Sequence, residues 1–264
     1  MNYLSTRGRA APVGFADALI GGLAPDGGLY VPEEWPPIDV HPSVDRYQDT
    51  AVEVLAPYVA PSFARDELSA LVEDAYATFD HPDVCPVRPL GGGLHLLELF
   101  HGPTLAFKDV ALQLVGRLLD RELSLRDERA TVLVATSGDT GSAAIEACRG
   151  RDRLDIVVLH PEGRVSDVQR RQMTTVDEPN VRNVAIAGDF DDCQALVKAS
   201  FADAALRDEL RLTAMNSISW ARVMSQVVYY VTSAAAVAPE RPVSFSVPTG
   251  NFGNVLAGWV ASQG

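Results

Sequence analysis

The 264-residue chain has only two lysines, Lys108 and Lys198, and three cysteines, Cys85, Cys148 and Cys193. The cysteines are scattered and form no CxxC pair, which excludes a disulfide framework and a cysteine-rich zinc site. Positive charge is short as well: 22 Lys+Arg face 35 Asp+Glu, for a formal net charge of −13. Such a surface is not drawn to nucleic acid or to anionic membrane. An anionic small substrate stays admissible, because a local pocket can oppose the global field. No apolar run reaches the roughly 18 residues of a spanning helix. Met1 to Ala10 lack the apolar stretch of a signal peptide. The expectation is a reduced, soluble, cytoplasmic protein.

What is present is globular material. Apolar residues make up 47% and charged residues 22%, too apolar for a disordered chain and ample for one large or two modest domains. Residues 1–84 read as a mostly helical lead-in, with helical spacing over Tyr47–Val59 and Ala64–Phe79 and with Pro57 and Pro61 between them. Strands and helices then alternate. Leu94–Leu99, Ala130–Ala135, Leu154–Leu159, Val181–Ile186 and Val243–Val247 read as strands. Phe107–Arg121, Thr140–Arg149, Val165–Thr174, Asp191–Ala205, Ser219–Val237 and Val255–Ser262 read as helices. That alternation predicts parallel sheets covered by helices.

Four segments carry candidate chemistry, each at the start of a helix, and in α/β folds ligands gather where strands end and helices begin. The first is His101-Gly102-Pro103-Thr104-Leu105-Ala106-Phe107-Lys108-Asp109. A lysine at a helix start faces the positive end of the dipole, which suits a neutral amine nucleophile; the plainer reading is a solvated lysine. The second, Thr136-Ser137-Gly138-Asp139-Thr140-Gly141-Ser142, follows a buried strand. Its backbone amides suit an anion, or Ser137 or Asp139 merely caps the helix. The third, Gly250-Asn251-Phe252-Gly253-Asn254, lacks a Walker lysine and is not GxGxxG; it is a close-approach loop for phosphate or an ordinary glycine-rich turn. The fourth is Asn216-Ser217-Ile218-Ser219-Trp220-Ala221-Arg222, whose arginine either forks onto an anion or lies on the surface. His95, His101 and His160 read as structural or loop histidines, and Cys148 and Cys193 as small buried residues.

Together and in this order the segments resemble the threonine synthase family, within the tryptophan-synthase-β-like enzymes that use pyridoxal 5'-phosphate. His101–Asp109 resembles that family's lysine motif, Ser137–Ala144 its substrate loop, and Pro248–Asn254 its cofactor phosphate loop. Tyr3–Gly8 and Gly188–Gln194 also fit. The resemblance implies a fold type II α/β architecture of two parallel-sheet lobes behind a mostly helical N-terminal region. The implied division is 1–84, then a cofactor lobe from 85–129 and 207–264, and a small lobe over 130–206. It implies that Lys108 holds pyridoxal phosphate covalently and moves protons. Phe107 would wall that site, and Gly250, Asn251, Phe252, Gly253 and Asn254 would hold the cofactor phosphate. Ser137, Gly138, Asp139 and Thr140 would bind the substrate carboxylate or lie beside the cofactor ring. Asn216, Ser217 and Arg222 would hold the substrate's phosphate.

The implied reaction turns O-phospho-L-homoserine and water into L-threonine and phosphate. A deaminase or cysteine synthase of the same fold, or a non-catalytic ligand-binding chain, are the other readings. A small-molecule partner is expected, with no nucleic acid, no membrane and no metal, and with room for an oligomer. Family members continue past the phosphate loop, so the reading expects a shortened chain without the polar partner of the pyridine nitrogen.

Overall fold

A computed structural model describes residues 1–38, 46–215, 219–238 and 241–263. Contacts divide the chain into two units, Met1–Leu114 with Asn216–Gly264, and Val115–Met215. This differs from the expected division at 84/85, 129/130 and 206/207. The N-terminal region folds into the same unit as the last segment, and one boundary lies inside a helix.

The first unit opens with β1 (Tyr3–Ser5), α1 (Phe15–Gly21) and β2 (Tyr30–Pro32). β1 and β2 pair antiparallel, with Leu4 opposite Val31, so the lead-in is not purely helical. α2 (Tyr47–Val59) and α3 (Arg65–Tyr76) follow and pack together. Pro57 lies inside α2 rather than ending it. It sits on the exposed face, as does Glu53 one turn earlier, so water serves the carbonyl that proline leaves without a donor. The hairpin of β3 (Val87–Gly91) and β4 (Leu94–Leu97) comes next. It turns through Gly91, Gly92 and Gly93, all at positive φ, a run that only glycine adopts cheaply. α4 (Lys108–Leu125) then runs out of this unit into the second.

The second unit is a parallel sheet of β5 (Ala130–Ala135), β6 (Leu154–Pro161), β7 (Val181–Ile186) and β8 (Leu212–Thr213), in the order β7-β6-β5-β8. α5 (Asp139–Cys148) and α6 (Asp167–Thr174) carry the chain outward to β7; α7 (Phe190–Ala202) and α8 (Ala204–Leu210) bring it back to β8. Right-handed crossovers therefore place α5 and α6 on one face and α7 and α8 on the other. Both faces of β5 and β6 are covered, which matches their apolar character. The single helix expected over Asp191–Ala205 is broken because Asp203 turns extended and its side chain accepts from Leu206 N at 3.1 Å, capping α8. The reversal of winding direction falls at β5, so the loop after its carboxyl end, Thr136–Gly138, occupies a switch point.

The chain returns to the first unit through α9 (Trp220–Val237) and α10 (Gly253–Ala261). Every residue of α9 from Trp220 to Tyr230 is buried, the mark of a helix enclosed on all sides. α9 packs on α2 and α10. Trp220 lies at the centre of an aromatic cluster, 5.2 Å from Tyr58, 5.5 Å from Trp35 and 6.5 Å from Tyr3 between ring centroids. Each such ring contributes about 1.5–3 kcal/mol by burial. Val243–Val247, expected as a strand, belongs to no ladder among the described residues. Apolar sequence alone does not make a strand; it needs a hydrogen-bonded neighbour.

Candidate active site

Lys108 is the first residue of α4, and its Nζ lies 4.8 Å from the centre of the Phe107 ring. The loop that delivers it is fixed by the next residue. Asp109 is fully buried, and its carboxylate accepts from both Thr104 N and Thr104 Oγ1 at 2.8 Å. Gly102 is required underneath, since a Cβ there would fall 2.4 Å from the Asp109 Cβ. Leu105 adopts φ 61° at the apex and stays exposed. The Gly-Pro-Thr-Leu stretch thus winds around one carboxylate and sets where Lys108 begins.

The His101 ring, reckoned structural from sequence, bridges Asp80 and Glu98 at 2.7 and 3.0 Å. His95 is exposed on β4, and His160 is buried. The three cysteines are free and buried. Burial pushes the thiols of Cys85 and Cys148 up to about 12, and they play no nucleophilic part.

At the start of α10, Phe252 is the N-cap residue in a left-handed conformation, φ 57°, with its ring 67% exposed. Its N-cap residue makes no side-chain capping bond, so its first-turn amides have no intrahelical acceptor. Gly250 and Asn251 are exposed, and a Cβ on Gly250 would meet nothing within 4 Å. Asn254 faces the protein: its Oδ1 accepts from the hydroxyls of Tyr229 and Tyr230, both at 2.7 Å. Its side chain anchors the loop to α9, and the tyrosine pair was invisible to motif reading.

Arg222, on the first turn of α9, is 2% exposed. It does not lie on the surface, as the plainer reading had it. Its Nε and Nη1 have no hydrogen-bond partner among the described residues. Burial lowers its pKa to about 10. A buried guanidinium with open donors is costly unless an anion answers it. Asn216 and Ser217, read beside it, lie outside the described residues.

In the second unit, Thr136 Oγ1 accepts from Gly138 N at 3.0 Å and from Gly141 N at 2.9 Å, closing part of the α5 start. Gly138 takes φ 155°, and its missing Cβ makes room for the Gln169 amide. Gln169 Nε2 donates to Asp139 Oδ1, so that carboxylate is held by α6. Ser137 and Asp139 are exposed, and Thr140 is half-buried. The first unit therefore holds Lys108, Phe107, Arg222 and Gly250–Asn254, and the second holds Ser137–Thr140.

Residues 87–263 match the family model described as pyridoxal-phosphate dependent enzyme. The chain belongs to that family. Residues 2–76 match the threonine synthase N terminus. The threonine synthase of Pseudomonas aeruginosa is 54% identical over 99% of this chain and 57% of its own length. That of Schizosaccharomyces pombe is 46% identical over 100% of this chain and 54% of its own length. The pyridoxal-phosphate-bound threonine synthase structure from Brucella melitensis superposes with a TM-score of 0.94 at 51% identity, covering 100% of this chain and 58% of that one. The chain thus spans a little over half the length of the relatives it matches, and within the family it groups with the threonine synthases and shares their fold type II architecture. The residues present suit the family's cofactor. The start of α10 has no N-cap side-chain bond, which suits a phosphate, and a lysine and an aromatic ring meet at the start of α4.

Proposed function

We propose that this chain carries the threonine synthase reaction, the conversion of O-phospho-L-homoserine and water to L-threonine and phosphate. The observation that carries the substrate class is Arg222, a buried cation with two nitrogens that have no hydrogen-bond partner among the described residues. A deaminase or cysteine synthase, whose substrate side chain carries no phosphate, has no need of it, whereas a substrate phosphate supplies its missing acceptors. Pyridoxal phosphate, when bound, withdraws electrons from the carbons of the substrate amino acid and makes their protons acidic.

The rest falls to the chain's own side chains. Lys108 holds the cofactor and afterwards carries protons from its Nζ. Phe107 walls the amine, and the α10 start binds the cofactor phosphate through backbone N–H groups. Ser137, Gly138, Asp139 and Thr140 receive the substrate's carboxylate or flank the cofactor ring. Asn216 and Ser217 join Arg222 at the substrate phosphate. The setting is the cytoplasm, in keeping with three free, buried thiols and the absence, among the described residues, of any helix long and apolar enough to cross a membrane.

Two variants test the reading. Lys108→Ala should abolish cofactor fixed by borohydride, with Lys198 as the built-in control; label persisting on Lys198 refutes the role of Lys108. Arg222→Met should abolish phosphate release from O-phosphohomoserine and remove the stabilisation that added inorganic phosphate gives. It should also raise the melting temperature by about 2–4 °C, since an unanswered buried charge is gone. A lower melting temperature with phosphate stabilisation retained would show that Arg222 is structural.

A further inference from the structure

Outside the groups already given a role, the described residues of the first unit include a partly enclosed cluster of ionisable side chains, formed where two segments meet. His101 closes β4's exit, Asp80 and His81 follow α3, and Glu98 follows β4. The His101 ring is mostly enclosed, with 15% of its side chain exposed, and Glu98 is enclosed further at 11%. Its Nδ1 lies 2.7 Å from Asp80 Oδ1, and its Nε2 lies 3.0 Å from Glu98 Oε2. Asp80 N also donates to the His101 carbonyl at 3.0 Å.

A neutral imidazole carries one N–H and one lone pair. With carboxylate oxygens at both nitrogens, the neutral ring satisfies one and sets its lone pair against the other. Only the imidazolium donates to both. The other charged groups facing the cluster are Arg88 on β3, 3.5 Å from Glu98, and Asp83, 3.9 Å from His81 Nδ1. His81 itself packs against the His101 ring at 5.0 Å, and Asp109 lies over Gly102.

We propose that His101 is a positioning residue for Lys108: a doubly hydrogen-bonded imidazolium that clamps the loop Gly102–Phe107 at the end opposite the one Asp109 holds. Two anchors then define the loop, Asp80–His101–Glu98 at its entry and Thr104–Asp109 at its exit, and the lysine starts its helix from a fixed origin. The clamp rests on the reading of Lys108 as the cofactor-holding residue, but its own geometry does not.

The charge state gives the clamp a direction in pH. The hydrogen bond donated to Glu98 above all, then that donated to Asp80, raises the His101 pKa against an opposing desolvation. A raised histidine contributes in full below the unfolded value of about 6.5 and is lost as pH climbs through the folded value. The loop should therefore loosen on the alkaline side, not the acid side.

Nitrogen-15 NMR of the chain without added cofactor tests this directly. Both His101 ring nitrogens should show the protonated shift at pH 7, and the ring should titrate above an ordinary histidine. Glu98→Gln keeps an oxygen acceptor but removes the charge. It should lower that titration and speed hydrogen exchange of the Thr104 and Leu105 amides about tenfold. Asp80→Asn, at an exposed side chain, gives the same readout should the first variant not fold. A neutral His101 at pH 7, or loop exchange unchanged in the variant that folds, overturns the proposal. A loosened loop together with unchanged borohydride fixation on Lys108 would show that the clamp serves the fold and not the lysine. Clamp results as expected with no fixation on Lys108 in the unaltered chain would instead sink the functional reading and leave the clamp standing.

Discussion

Helix α5 begins after Ser137-Gly138 and α10 after Gly250-Asn251-Phe252, and neither has a side-chain cap at its N-cap position. Their starts are nonetheless built differently. At α5 the Thr136 hydroxyl, buried beneath the turn, takes two of the amides, and Gln169 fills the space a Gly138 side chain would need. At α10 the N-cap residue gives no side-chain cap, and the space around Gly250 is open. The α5 start supports its own geometry and offers what remains, the exposed Ser137 and half-buried Thr140. The α10 start leaves its donors for whatever binds. Glycine at the first is a structural requirement; at the second it is clearance.

Substitutions can break this contrast. Gly138→Ala should have the largest effect, about 3 kcal/mol of lost stability, because φ 155° is open to glycine alone and the new methyl displaces Gln169. Thermal or denaturant unfolding measures it. Thr136→Val keeps the shape and removes the acceptor from Gly138 N and Gly141 N, and should lose about 2 kcal/mol. If that loss is negligible, the α5 start does not depend on the hydroxyl and the two helix starts are alike. Gly250→Ala should move stability by less than about 0.5 kcal/mol, while weakening pyridoxal phosphate about tenfold in a spectroscopic titration. Unchanged affinity would mean that no ligand approaches the Gly250 backbone.

Much of the fold was legible where order is local. β5, β7 and α2 have the bounds read from their patterns, because an apolar run between turn residues, or apolar residues every three or four positions, identifies its own element. The β1–β2 pair was not legible. Each strand is three residues long, too short to show alternation, and the partners lie far apart in sequence. Val243–Val247 erred the other way, since its composition suits a strand but pairing is not a property of one segment. At the site, the motif residues announced themselves by type and spacing. Their supports did not, because Tyr229 and Tyr230 reach Asn254 from another helix, and Gln169 reaches Asp139 across two elements. The burial of Arg222 could be suspected only from the apolar character of the helix that carries it.

All three tryptophans, Trp35, Trp220 and Trp259, belong to the first unit. The Trp35 ring lies 5.5 Å from each of the other two, nearly edge-on to Trp259. Indoles this close share excitation, so the emission should be that of a coupled trio, with the half-exposed Trp259 as its solvent-facing member. The optical consequence is a one-sided reporter. Melting of the parallel sheet in Val115–Met215 would leave the emission untouched, while its circular dichroism would fall.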